Sequence, residues 1–396
     1  MSGISDLLAA IITAERNGDD SVLASVVKVE GSAYRRPGAR MLIPLFGGTV
    51  GTVSGGCLEA ELAKKAWWFT EAGAPVVRRY STNADDTEDD PDRSLTFGLG
   101  CNGTVHVMLE RLVAGKPSAV VDLLHCVRQS HSPAAMATVI SSYRNALVRV
   151  GERIILNPSG QYIGGFRSPR LQANVCSDLA DVLSLRKSGW RFYADQHGAT
   201  EVFLEYLPPP TRLVIFGAGH DAQPLVQMAK LLDWHVTVVD GRAHFARTER
   251  FPLADQVIVA DQATVTRQIG SLQGAAVVVM THSYVQDRQW LDIALTSAAA
   301  YIGQLGPRER TERLLDDLNR RPAALPALDS LHYPMGLDTG GDSPETVAMA
   351  ILAEITAVLN HRQGGQLKHR GTPIHPTEAA IYQALTPASE HLTDQR

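Results

Sequence analysis

Leu213-Val214-Ile215-Phe216-Gly217-Ala218-Gly219-His220-Asp221-Ala222 reads as a buried strand that empties into a glycine turn and then into a helix. Gly217 suits a sharp turn, Gly219 lets backbone come close to a ligand, and Ala222 takes the place of the third glycine of a dinucleotide fingerprint. Pro224 fits the first helical turn, where no intrahelical N–H bond is lost. The helix should run to about Leu232. The next strand, Val236-Thr237-Val238-Val239, ends at Asp240, 21 positions after Gly219, where an acid would meet ribose hydroxyls. Strand, turn, helix, strand and terminal acid in that order predict a Rossmann-type domain.

Downstream the alternation continues, with strands expected near 256–260, 275–280 and 300–302 and helices near 262–271, 286–298 and 307–318. A last helix begins with Ser343 as N-cap and Pro344 in its first turn, and buries Val347, Ile351, Ile355 and Val358. Candidate ligand residues in this half are Gly217, Gly219, His220, Asp240, Arg242, His282 and Asp287. Asp240-Gly241-Arg242 pairs a ribose-binding acid with a base suited to phosphate. His282 follows the fourth strand, at the carboxyl edge where open α/β sheets bind ligands. Either histidine is equally well read as a loop residue bonded to backbone.

Upstream, Pro208-Pro209-Pro210 is a stiff extended spacer and marks a domain boundary. The expected organisation is an α+β domain over 1–207, the proline linker, the Rossmann-like domain over 211–361, and a polar tail over 362–396 with one short helix near 376–385. Within the first domain a helix is expected at 4–17 and a strand from Ser21 to Glu30. The loop Gly31 to Arg40 carries Arg35, Arg36 and Arg40, and strands follow at about 40–44 and 48–53. These lead into Val50-Gly51-Thr52-Val53-Ser54-Gly55-Gly56-Cys57-Leu58-Glu59, a second glycine turn that opens a helix with Leu58, Leu62, Ala66 and Phe69 on one face. Cys57 should sit in the first helical turn, where the helix dipole favours a thiolate. A free cysteine is also a good small core residue, so packing is the competing reading. The three arginines suit phosphate or carboxylate, or are simply solvated.

Residues 83–93 form an acidic loop with no EF-hand spacing, read as solvated. A third glycine turn, Phe97-Gly98-Leu99-Gly100-Cys101-Asn102-Gly103, opens a strand in which Val105, Val107 and Leu109 alternate onto one face. Two cysteines, each set among glycines at a strand end, suggest a ligand held by backbone groups and one or two thiolates. Further on, helices are expected near 117–129 and 172–187, with strands near 136–141, 147–156, 190–194 and 200–207. Cys126 and Cys176 lie in helical patterns and are read as packing residues.

With 396 residues, 44% hydrophobic and 20% charged, the chain should fold into two or three domains. A net charge of −5 gives no general pull toward nucleic acid or an anionic membrane. Four cysteines in so long a chain do not make a disulfide scaffold. No apolar stretch approaches the roughly 20 residues of a membrane span. A cytoplasmic protein is expected.

The arginine loop with Ser54-Gly55-Gly56-Cys57-Leu58-Glu59, followed by Gly98-Leu99-Gly100-Cys101-Asn102-Gly103, resembles the N-terminal half of the XdhC/CoxI family. Gly217-Ala218-Gly219-His220, Asp240-Gly241-Arg242, Arg250-Phe251-Pro252, Thr281-His282 with Asp287, and Gly336-Leu337-Asp338 resemble that family's Rossmann domain. Asn102 departs from the glycine expected after the cysteine. The resemblance implies an α/β protein, an XdhC/CoxI-type α+β domain followed by a Rossmann-like parallel-sheet domain. It implies a chaperone rather than an enzyme, one that binds molybdenum cofactor, as molybdopterin or its cytosine dinucleotide form. Such a chaperone protects the cofactor and assists its sulfuration and insertion into a xanthine dehydrogenase-type molybdenum hydroxylase. Implied partners are a cysteine desulfurase and the large subunit of the molybdenum hydroxylase, with a homodimer left open. Cys57 and Cys101 would take the metal- or sulfur-handling role, and Ser54, Gly55, Gly56, Arg35, Arg36, Arg40 and Gly100 would line the cofactor site. An NAD(P)-dependent oxidoreductase using the Rossmann domain stands as the competing class.

Overall fold

A computed structural model describes residues 3–56, 58–81, 103–144, 148–195, 198–319, 329–372 and the backbone of 381–384. The chain divides into two units, residues 1–209 with 376–396, and residues 210–375. Among the described residues no helix is long and apolar enough to cross a membrane.

In the first unit α1 (Ile4–Asn17) buries Leu7, Leu8 and Ile11 and ends at Gly18, whose φ of 76° provides a left-handed cap. Then come β1 (Ser21–Gly31), β2 (Arg40–Pro44), β3 (Val50–Gly51), α2 (Glu59–Phe69), β4 (Val76–Ser81) and β5 (Gly103–Leu112). They form an antiparallel sheet in the order β3-β2-β1-β5-β4. The apolar face of α2, Leu58, Leu62 and Ala66, closes a core with Val22, Ala24, Val26, Val107 and Leu109. The pattern did not predict β4, because Val76-Val77-Arg78-Arg79-Tyr80-Ser81 lacks strict alternation.

The same unit continues through α3 (Ala119–Ser130), β6 (Ala134–Tyr143), β7 (Arg153–Leu156), β8 (Tyr162–Gly164), α4 (Pro169–Leu185), β9 (Gly189–Asp195) and β10 (Gly198–Leu207). Its second sheet runs β9-β10-β6-β7-β8. β1 is bulged between Val26 and Lys28, and the Val27 carbonyl accepts a 2.8 Å bond from the buried Trp190 indole N–H of β9. Among the described residues, three ion pairs join the sheets: Arg40 with Glu205, their side chains 5% and 6% exposed, Arg153 with Glu110, and Lys28 with Glu201. Cys126 is exposed on α3, off the stripe formed by Val120, Leu123, Leu124 and Val127, so the packing expectation fails there. Cys176 does pack against the core of α4.

The second unit is built from β11 (Arg212–Phe216), α5 (Ala222–Leu231), β12 (His235–Asp240), β13 (Gln256–Val259), α6 (Val265–Ile269), β14 (Ala276–Val279), α7 (Tyr284–Leu295), β15 (Tyr301–Gln304), α8 (Arg308–Asp317), β16 (Leu331–His332) and α9 (Pro344–Leu359). The six strands are parallel in the order β13-β12-β11-β14-β15-β16, the doubly wound order in which the direction of winding reverses between β11 and β14. The Rossmann-like sheet predicted from the glycine fingerprint is therefore present. Apolar residues fill both faces, with Leu213, Val236 and Val278 packed under α5 and α9, and Val214, Val277 and Val279 packed with Trp290 of α7 and Leu314 of α8. Ser343 caps α9 by accepting from the Thr346 N–H. Finally, β17 (Ile381–Ala384) adds to the first unit parallel to β9. These four residues are strand, where a short helix near 376–385 was expected; the rest of that helix lies outside the described residues.

Candidate functional site

In the first unit the turn after β3 is organised by an acid. The carboxylate of Glu59, first residue of α2, accepts from the backbone N–H groups of Val53 (3.0 Å), Ser54 (2.9 Å), Gly55 (3.1 Å) and Gly56 (2.9 Å). The hydroxyls of Thr52 and Ser54 donate to it as well. Burial pushes its pKa up, but these bonds outweigh burial and hold it down to about 2. Gly55 and Gly56 have φ of 102° and 126°, which lets successive N–H groups point inward as an anion nest. A Cβ on Gly55 would lie 2.7 Å from the ring of Tyr34, so the arginine loop folds over the turn. The Ser54 hydroxyl also accepts from the Leu58 N–H, at 2.9 Å.

The sequence reading placed a ligand against these glycines and gave Glu59 no role. A signal existed: an acid at the first position of a helix is favoured by the free N–H groups and dipole there, and Glu59 reaches back to the Gly56 N–H. Helix α2 starts at Glu59 with Leu58 as N-cap. Cys57, Gly100 and Cys101 lie outside the described residues, as does the acidic loop over 83–93. Of the three arginines, Arg40 donates to the Gly38 carbonyl (2.9 Å) and to Glu205 (2.6 Å) inside the unit, which commits it to the fold. Its partner is 165 residues away, beyond the reach of local pattern reading. Arg35 lies over the Tyr34 ring at 5.7 Å, and Arg36 is exposed.

In the second unit the carboxyl edge of the sheet gathers most of the residues expected there. Gly217, φ 124°, sits where a Cβ would meet the Met280 backbone at 2.6 Å, so it is required for the close approach of the β11 and β14 ends. Among the described residues nothing lies on the Cβ side of Gly219, the arrangement needed for a ligand to come against the backbone. Asp240 is fully buried. One of its oxygens accepts from the N–H and Nε of Arg242, both at 2.9 Å. The other accepts from the Ala218 N–H (2.9 Å) and from Arg242 Nη2 (2.8 Å). Burial opposes its ionisation, but Arg242 and the two backbone donors hold its pKa below the usual range. Asp240 thus ties the glycine turn to Arg242, with both oxygens engaged. The partly exposed Arg242 guanidinium lies 4.1 Å from the Phe245 ring centroid. Arg250, quoted only for the resemblance, donates to the Ala218 and Phe245 carbonyls and so braces the same turn.

His282 stands at the switch point after β14 with φ 60° and a side chain 60% exposed. Its Nε2 lies 3.0 Å from Asp221, the N-cap of α5. Asp287 is 1% exposed and holds the loop from below. One oxygen accepts from the Thr281 N–H (3.1 Å) and hydroxyl (2.5 Å), and the other lies 2.7 Å from Arg310 Nη1 and 3.3 Å from the buried Gln304 amide. Asp287 therefore positions the turn that presents His282. His220 is exposed on the fingerprint turn. Asp221, Gln304 and Arg310 are not singled out from sequence, since their partners His282 and Asp287 lie in other elements, distant along the chain. Among the described residues no group of three or more His, Cys, Asp or Glu is arranged to hold a metal ion.

Residues 14–81 match the XdhC and CoxI family, and residues 213–355 match the XdhC Rossmann domain. A protein of Bacillus subtilis (strain 168) named as a probable xanthine dehydrogenase component is 31% identical over 337 residues, 85% of this chain and 92% of that protein. The molybdenum cofactor insertion chaperone PaoD of Escherichia coli (strain K12) is 22% identical over 90% of this chain and 89% of its own length. The crystal structure of a xanthine dehydrogenase from Bacillus halodurans superposes with a TM-score of 0.69 at 29% identity, covering 91% of this chain and 98% of that one.

Proposed function

This chain belongs to the XdhC and CoxI family, and from that premise we propose that it is a molybdenum cofactor-binding chaperone. In this reading it protects the cofactor and assists its sulfuration and insertion into a xanthine dehydrogenase-type hydroxylase. The observation that carries the reading is that similarity to a protein named as a cofactor insertion chaperone runs through both units, over 90% of this chain. The partners it requires are a cysteine desulfurase and the large subunit of the hydroxylase.

The residues at the Rossmann edge fit the anionic part of such a cofactor. Among the described residues no atom lies within 4 Å of the Cβ side of Gly219, and the partly exposed Arg242 with the exposed His282 and His220 places cationic or donor groups around the carboxyl edge. A phosphate or nucleotide portion would be received there, while the cofactor itself supplies the dithiolene-held metal. Thiolates suit a soft metal or a relayed sulfur, and Cys57 and Cys101 keep that role.

An NAD(P)-dependent oxidoreductase is the second reading, and the strand order β13-β12-β11-β14-β15-β16 favours it. Its weak point is Asp240, whose two oxygens already accept from Arg242 and Ala218 rather than facing a ribose. Anaerobic co-production with a cofactor source, followed by molybdenum, pterin and nucleotide analysis of the purified protein, separates the two. Molybdenum and pterin near one per chain support the chaperone. Bound nicotinamide dinucleotide with substrate-dependent reduction would replace it.

A further inference from the structure

We infer that the nest formed by Val53, Ser54, Gly55 and Gly56 is an anion site whose permanent occupant is Glu59, making Glu59 a positioning residue for the turn that carries Cys57. The inference rests on the cofactor-binding reading only for what Cys57 does; the filling of the nest stands on geometry. Four consecutive N–H groups and two hydroxyls converge on one carboxylate. Such a concavity of backbone donors ordinarily receives a ligand's phosphate or carboxylate. Here every one of those donors points at the chain's own acid, so the phosphate of a cofactor is received elsewhere.

Both neighbours of Cys57 are fixed by this arrangement. The Gly56 N–H donates to Glu59, and the Leu58 N–H donates to the Ser54 hydroxyl, which itself donates to Glu59. Without the carboxylate, the Val53, Ser54 and Gly56 N–H groups would lose their acceptor together, and the Gly55 N–H would keep only the Thr52 hydroxyl oxygen. Gly55, at φ 102°, lies against the Tyr34 ring, whereas Gly56, at φ 126°, has no such neighbour among the described residues. Among the described residues no atom lies within 4 Å of a Cβ position on Gly56, and the bond from its N–H to Glu59 is the contact that holds it.

The test uses the full chain, with Glu59→Ala beside wild type. Acetate supplies the carboxylate that alanine lacks and is therefore the probe. Molybdenum retained per chain should fall at least tenfold in Glu59→Ala and return to within twofold of wild type when acetate is present throughout purification. Acetate should also raise the melting temperature of ligand-free Glu59→Ala and leave wild type unmoved. That second readout needs no cofactor, so it decides the nest even if wild type proves to carry none. Unchanged retention in Glu59→Ala, or a loss with no acetate effect on either readout, would overturn the inference. Increased retention would overturn it too, because Glu59 would then be competing with the cofactor for the nest. If Glu59→Ala does not fold, Glu59→Gln keeps the size and removes the charge. Its retention should fall at least fivefold with the melting temperature within a few degrees of wild type, and equal retention would refute the role.

Discussion

At Asp240 and Asp287 two buried carboxylates do structural work beneath a ligand edge. Neither touches solvent appreciably, and each is matched by an arginine and by backbone donors. Removing one partner of such a pair leaves the other charge uncompensated, which typically costs several kcal/mol. Asp287→Ala should therefore lower stability by about 3 kcal/mol in urea unfolding. It should also alter His282, whose turn hangs on the Thr281 bonds, and the His282 imidazole resonances by NMR would report that change. Asp240 and Arg242 were read from sequence as a ribose acid beside a phosphate base. Their two-residue spacing was visible, but the inward rotation of the acid was not, because it depends on the Ala218 N–H on the neighbouring strand's turn.

The glycine fingerprint makes a sharper test at the level of elements. Gly217 and Gly219 have different surroundings to match their different roles in the motif: a Cβ on Gly217 would meet the Met280 backbone, while one on Gly219 would meet no described residue. Gly217→Ala should destabilise the second unit by about 2 kcal/mol or more, through strain at positive φ and overlap with β14. Gly219→Ala should leave the urea midpoint within experimental error and weaken any nucleotide or phosphate bound at the edge. Equal stability of the two variants would contradict this placement. The whole first β-α-β segment was legible because it is local: strand, turn, helix and second strand lie within residues 212–240. The Glu59 nest was not, because hydrophobic periodicity is blind to an irregular turn whose donors are backbone groups. β17 was missed for another reason: four residues near the end of the chain pair with β9, nearly two hundred positions earlier, and nothing local encodes that pairing.

Across the whole molecule, acid sensitivity follows from the carboxylates that the second unit holds below their ordinary pKa. Burial opposes ionisation at Asp240, Asp255 and Glu354. The partners Arg242, Lys230, and His332 with Tyr301 nevertheless depress all three. A depressed folded-state pKa means that the unfolded chain binds protons first as pH falls. The stabilisation is thus complete above roughly pH 5 and is lost progressively toward the lower folded values. Urea midpoints should fall between about pH 5 and pH 3, and Asp240→Asn should show a shallower fall. Family membership was readable from several short motifs in one order, and similarity over most of the chain bears that out. The ligand set of the first unit was less legible, since Arg40 turns inward to Glu205 and a carboxylate fills the turn expected to hold a ligand. In the proposed function, molybdenum cofactor is carried on thiolates of the glycine turns. Its most direct test is the molybdenum and pterin content of the chain purified from a cofactor-producing host, beside a Cys57→Ser, Cys101→Ser double variant. Near-stoichiometric cofactor is expected in wild type and its loss in the variant. Wild type free of molybdenum and pterin, even after reconstitution with free cofactor, would contradict it.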